Sequence, residues 1–218
     1  MNESVINKTI DKSFLNKPHE KYRNIIFDLG RVLINWDPES FIDSIFGDNK
    51  QKAMFILGLL NTKEWADWDR GILDQSEILA ILSSDEAKKH WEYFIGQIPK
   101  YLVPIPEGVD LFNQVCDKGY NVYLLSNYSK SFYEQTAATY DFLKRVNGAV
   151  ISYQVNRVKP EPEIYQILLS RFGLKAEESL FIDDREENIQ AGKALNIDGI
   201  VCSNHDVVKL HLKNIGIL

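Results

Sequence analysis

Asn24-Ile25-Ile26-Phe27-Asp28-Leu29-Gly30 is a short apolar run that ends on a carboxylate and a glycine. β-Branched and aromatic side chains suit a pleated backbone, and a run without polar alternation suits a strand covered on both faces. A strand over 24–28 therefore presents Asp28 at its C-terminal end. Four more runs share this character, at 120–126, 149–151, 179–183 and 199–202. Apolar positions recur at helical spacing over 107–117, 130–140, 161–172, 185–195 and 205–213. Alternating strand and helix predicts an α/β fold around a parallel sheet.

The stretch from 38 to 98 breaks the alternation. Its apolar residues fall at helical spacing over 41–46, 53–60, 78–82 and 91–95, with no convincing strand. This pattern predicts an α-helical cap domain over 38–98, inserted into a core domain made of 23–37 and 99–218. Pro99, Pro104 and Pro106 mark the return to the core, because proline interrupts pairing and pre-sets turns. A helical insertion directly after a functional strand is placed to act as a lid.

Bulk properties narrow the function. A chain of 218 residues, 44% hydrophobic, can bury a full core. The net charge of −6 and pI of about 5.3 argue against a general nucleic-acid or anionic-membrane footprint. Cys116 and Cys202 stand far apart among apolar neighbours, as reduced core thiols do. Residues 1–22 hold no continuous apolar segment, which argues against a signal peptide or membrane span and predicts a flexible N-terminal tail. These features describe a soluble cytoplasmic protein and leave its oligomeric state open.

Polar residues gather where the strands end, the edge at which open α/β sheets bind ligands. Asp28 closes the first run, Ser126 and Asn127 the second, and Asp183 with Asp184 the fourth. Lys159 stands in Val158-Lys159-Pro160-Glu161-Pro162, just before a helix. A carboxylate nucleophile, further carboxylates for Mg²⁺, a hydroxyl and a lysine together suit phosphoryl transfer. Mg²⁺ takes oxygen ligands and shares them with substrate phosphate, and the equatorial phosphoryl oxygens need neutralising.

Four segments in order resemble the motifs of the haloacid dehalogenase superfamily: Phe27-Asp28-Leu29-Gly30-Arg31-Val32, Leu124-Leu125-Ser126-Asn127, Lys159-Pro160, and Phe181-Ile182-Asp183-Asp184 continuing to Asn188. The resemblance covers nearly all of the chain after Tyr22 and includes the position of the cap. It implies a Rossmann-like core and a Mg²⁺-dependent phosphatase of a small phosphorylated metabolite. Asp28-Leu29-Gly30-x-Val32 and Trp68-Asp69-Arg70-Gly71 further resemble the sugar-phosphate phosphatase branch related to glucose-1-phosphatase. By this resemblance Asp28 attacks phosphorus and forms an aspartyl-phosphate. Ser126 and the Asn127 amide hold phosphoryl oxygens, and Lys159 bridges Asp28 and the phosphoryl group. Asp28, the Gly30 carbonyl, Asp183 and Asp184 hold Mg²⁺. Trp68 and Arg70 are expected to face the substrate from the cap, although a tryptophan at helical spacing also suits a core and an arginine also suits solvent. Asn188 reads as a structural partner of the acidic motif.

Gly30 departs from the phosphatase pattern, which commonly has a second aspartate there for acid–base work. Three readings follow. Asp37 or Asp69 substitutes, although Asp37 before Pro38 also reads as a helix N-cap. Alternatively the leaving group needs little protonation, as in an anomeric, aryl or acyl phosphate. Otherwise the protein binds a phospholigand without efficient turnover. A metal-independent haloacid dehalogenase is the enzymatic alternative.

Overall fold

The structure, a computed structural model, describes residues 21–47 and 49–218. The flexible tail expected over 1–22 lies outside the described residues except for Lys21 and Tyr22. Tyr22 is buried and its hydroxyl donates to Asp198 Oδ2 at 2.7 Å, so the chain is already anchored at the last residue of that span.

In chain order, β1 (Asn24–Phe27) is followed by five helices: α1 (Pro38–Phe46), α2 (Lys50–Leu60), α3 (Lys63–Asp69), α4 (Gln75–Ile81) and α5 (Asp85–Tyr101). Strand and helix then alternate through α6 (Pro106–Asp117), β2 (Asn121–Ser126), α7 (Lys130–Thr139), β3 (Gly148–Ile151), α8 (Ser152–Val155), α9 (Pro162–Phe172), β4 (Ser179–Asp183), α10 (Glu186–Lys193), β5 (Asp198–Val201) and α11 (His205–Asn214). The five strands form one parallel sheet in the order β3-β2-β1-β4-β5.

Successive side chains of a strand point to opposite faces, and both faces here are covered. Ile25, Phe27, Leu124 and Ile182 pack with Phe112 of α6 and Val208 and Leu212 of α11. Ile26, Leu125 and Phe181 pack with Tyr165 and Leu168 of α9 and Ile189 of α10. This two-sided burial is why the strands read as unbroken apolar runs. The register places Phe27 beside Leu124 on one side and Ile182 on the other. The next residue of β1's path, Asp28, therefore emerges between the ends of β2 and β4, beside Ser126 and Asp183.

The five-helix insertion is held by its caps and by one aromatic cluster. Thr62 accepts from Trp65 N to start α3, and Asp74 with Glu77 forms a reciprocal capping box on α4. Trp68 packs on Trp65, Trp91 and Phe132, with ring centroids 5.2, 5.9 and 5.3 Å apart. Phe132 belongs to α7, so this cluster also joins the insertion to the sheet's helices. Helix α5 runs through Pro99 to Tyr101 instead of stopping before the proline. Trp91, Phe94, Ile95 and Ile98 are buried along its apolar face, and that packing outweighs the one backbone bond a proline removes. Among the described residues no helix is long and apolar enough to cross a membrane.

Candidate active site

The nucleophile candidate is aimed by a tight turn. Asp28 N donates to Ile182 O at 2.9 Å, which extends the pairing with β4 one residue past β1. Leu29 O then accepts from the amides of Val32, Leu33 and Ile34, while Arg31 adopts a φ of 58°. That left-handed residue folds the chain back on itself. Arg31 Nε donates to Trp36 O at 2.7 Å and its guanidinium pairs with Glu39, so its side chain is engaged at the start of α1. The turn is supported from below at Gly108, where a Cβ would stand 2.0 Å from Val32 O. Only glycine permits that approach.

Lys159 joins the motifs. Its buried ammonium lies 2.8 Å from Asp28 Oδ1 and 2.6 Å from Asp183 Oδ2. Asn127 fixes the lysine's backbone by a reciprocal pair: its Nδ2 donates to Lys159 O at 3.0 Å, and its Oδ1 accepts from Lys159 N at 2.7 Å. The side chain of Asn127 thus positions Lys159, leaving its own amide as the group for a ligand. Asp183 is held by Arg185 N at 2.8 Å and by Asn188 Nδ2 at 3.0 and 3.1 Å. Asn188 is the structural partner expected of it, and Tyr165 Oη in turn donates to its carbonyl. Ser126 is buried, with its hydroxyl beside the Asp28 carboxyl.

Burial pushes the Asp28 carboxyl up to about 6, and Asp183 adds to the effect while Lys159 and Ser126 oppose it. Burial works against the Lys159 ammonium, but Asp28 and Asp183 outweigh it and keep the group above its usual range. Asp184 is raised by burial and then by its neighbour Asp183. One lysine therefore faces three carboxylates, leaving an excess of negative charge that a divalent cation would neutralise. Oxygens of Asp28, Asp183 and Asp184 all lie within 4.8 Å of one another. Octahedral coordination by a small hard cation needs oxygen pairs roughly 3–4 Å apart. Asp28 Oδ1 is also buried without a hydrogen bond. The donor set fits such an ion.

The cap side differs from expectation. Trp68 is only 4% exposed, its ring enclosed by Trp65, Trp91 and Phe132. Arg70 directs its guanidinium to Glu161, 2.5 Å away, and more weakly to Asp67 at 3.9 Å. Both side chains are engaged by protein partners. Glu161 follows Lys159 by two residues and reads in sequence as a helix start, so its part in holding the cap had no local signal. Asp37 caps α1, accepting from Ser40 Oγ at 2.6 Å, and these hydrogen bonds hold its carboxyl below the usual range. A carboxyl committed to a helix cap is poorly placed to donate a proton.

The description haloacid dehalogenase-like hydrolase matches residues 22–196. The D-ribitol-5-phosphate phosphatase of Bacteroides thetaiotaomicron is 28% identical over 195 residues, covering 81% of this chain and 89% of that protein. Sesquiterpene phosphatase astK of Aspergillus oryzae is 25% identical over 182 residues, covering 82% and 89%. A crystal structure of a HAD family enzyme from Bacteroides thetaiotaomicron, in complex with magnesium and inorganic phosphate, superposes with a TM-score of 0.60 at 25% identity, covering 83% of this chain and 93% of that one. With the family pattern spanning most of its length and the acidic edge in place, the chain belongs to the haloacid dehalogenase-like hydrolases.

Proposed function

We propose that the protein is a Mg²⁺-dependent phosphatase that hydrolyses a small phosphorylated metabolite through an aspartyl-phosphate on Asp28. The observation that carries this reading is the buried Asp28–Lys159–Asp183 arrangement, with Ser126 on one side and Asp184 on the other. Asp28 supplies the attacking carboxylate oxygen. The Ser126 hydroxyl and Asn127 amide bind phosphoryl oxygens, and Lys159 neutralises charge as it accumulates. Asp28, the Gly30 carbonyl, Asp183 and Asp184 would hold Mg²⁺, which supplies Lewis-acid neutralisation of the phosphoryl oxygens when bound. The similarity to a D-ribitol-5-phosphate phosphatase supports a hydroxylated phosphomonoester as the substrate class.

Phosphate release from a panel of sugar, polyol and aryl phosphates tests the reading. Turnover should require Mg²⁺, vanish on chelation and return when Mg²⁺ is restored. Activity unaffected by chelation would favour metal-independent chemistry. A second reading, a phospholigand-binding protein with little turnover, is favoured by the missing side chain at Gly30. It predicts Mg²⁺-dependent binding of a phosphate analogue with no phosphate release from any member of the panel.

A further inference from the structure

Cleaving a phosphomonoester of an alcohol requires a proton for the leaving oxygen and later a base for the attacking water. The groups at the sheet edge are committed elsewhere. Asp28 attacks, Lys159 is locked between two carboxylates, and Asp183 and Asp184 belong to the cation site. Gly30 has no side chain, and Asp37 is a helix cap. Among the described residues, Asp69 at the end of α3 brings a further carboxyl from the insertion, its own carbonyl bound by Ser152, the residue that follows β3 at this edge.

The backbone around Asp69 is tied to the core on both sides. Ser152 Oγ donates to the Asp69 carbonyl and itself accepts from Tyr128 N at 2.9 Å. Asn156 Nδ2 donates to Arg70 O at 2.8 Å, and the Arg70–Glu161 pair reaches the segment that carries Lys159. Gly71, at φ +71°, lies so close that a Cβ there would be 2.8 Å from Tyr153 O. The Asp69 carboxyl lies against the Trp65 side chain and the backbone of Ser129, three residues beyond Ser126. Buried Tyr128, on that loop, feels the charges of both Asp28 and Asp69.

We propose that Asp69 is the proton-transfer group of this site, supplied by the cap at the position where the nucleophile's own loop has none. This rests on the phosphatase reading. In the first step an Asp28 oxygen bonds to phosphorus, the bond from phosphorus to the leaving oxygen breaks, and the Asp69 proton passes to that oxygen, releasing a neutral alcohol. In the second, ionised Asp69 takes a proton from water as the water oxygen bonds to phosphorus and the Asp28–phosphorus bond breaks. Inorganic phosphate leaves, with Asp28 ionised and Asp69 protonated again. The surroundings suit both halves of the cycle: burial, with no charge among the described residues opposing it, pushes the Asp69 carboxyl up to about 7. A general acid–base works best when its pKa lies near the working pH.

The test compares leaving groups. Asp69→Asn should lower kcat on D-ribitol 5-phosphate by about 10²–10⁴-fold and kcat on p-nitrophenyl phosphate far less, since nitrophenolate leaves without a proton. Equal losses on both substrates, or no loss on either, would overturn the proposal, because a purely structural Asp69 does not sense leaving-group basicity. Adding Gly30→Asp should restore alkyl phosphate turnover. The new Cβ would meet Trp36 Cβ at 3.7 Å, an ordinary contact. If Asp69→Asn does not fold, the wild-type chain still decides. Its kcat/KM across aryl and alkyl phosphates should vary little with leaving-group acidity, and a steep fall toward alkyl phosphates overturns the proposal. The phosphatase reading fails separately, by absent turnover or by turnover that survives Asp28→Asn; absent turnover overturns both.

Discussion

Asp28 comes to this end of the sheet from the core and Asp69 from the insertion, and their surroundings differ in kind. Asp28 stands in a charge-rich setting, with an ammonium 2.8 Å away and two more carboxylates within 4.8 Å. Asp69 stands in a nearly charge-free one, against an indole and a backbone amide. Both carboxyls are raised by burial, yet only Asp28 has a cation to draw it back. The same side chain thereby becomes suited to two tasks. A carboxylate kept ionised by lysine and metal is a nucleophile, whereas one enclosed without a counter-charge can exchange a proton near neutrality.

The largest expected effect lies on the core side. Asp28→Asn removes the attacking oxygen anion and should abolish turnover while leaving the fold intact; measurable phosphate release from that variant would end its assignment as nucleophile. Lys159→Ala comes next, with kcat reduced by about 10²–10³-fold, the typical cost of losing a preorganised electrostatic contact. The same change leaves Asp28 and Asp183 buried without their cation, so urea denaturation should also show a stability loss of about 3–5 kcal/mol. Activity lost with no change in stability would mean that the ion pairs matter less to the fold than their burial indicates.

On the cap side, the leaving-group test is followed by a smaller effect on stability. The folded chain keeps a proton on Asp69 up to about pH 7, whereas an unfolded aspartate releases it near 4. The folded state thus binds more protons across that window, so this contribution to stability is complete below pH 4 and falls as pH rises to 7. Asp69→Asn should flatten that part of the dependence, and denaturation midpoints at pH 5 and pH 7.5 measure it. The smallest effect belongs to Asp37→Ala, about 1 kcal/mol of stability through the lost helix cap with kcat unchanged. A large fall in kcat there would return Asp37 to the chemistry.

The two regions also differ in how far they were legible. The core strands read correctly because burial on both faces leaves each of them apolar throughout, and because each carries its polar group at the C-terminal end. Asp28, Ser126, Lys159 and Asp183 converge as their order on the strands implies. Helix α3 was hidden because its seven residues, Lys63–Asp69, are too few for a clear apolar period, leaving the Thr62 cap as the local signal. Trp68 and Arg70 look equally able to face a substrate or a protein partner. Their partners Phe132 and Glu161 lie far along the chain, so local spacing cannot tell which is true. Asp69 shows the same limit from the other side. Its enclosure depends on the β2–α7 loop and on α8, neither of which is near it in sequence.

The nucleophile can be tested directly by rapid acid quench during turnover of a ³²P-labelled phosphomonoester, with mass analysis of the peptides. The account predicts that phosphoryl label appears on the peptide containing Asp28, specifically on that residue, and is absent in Asp28→Asn. Phosphoryl label on a different side chain during sustained turnover would contradict it.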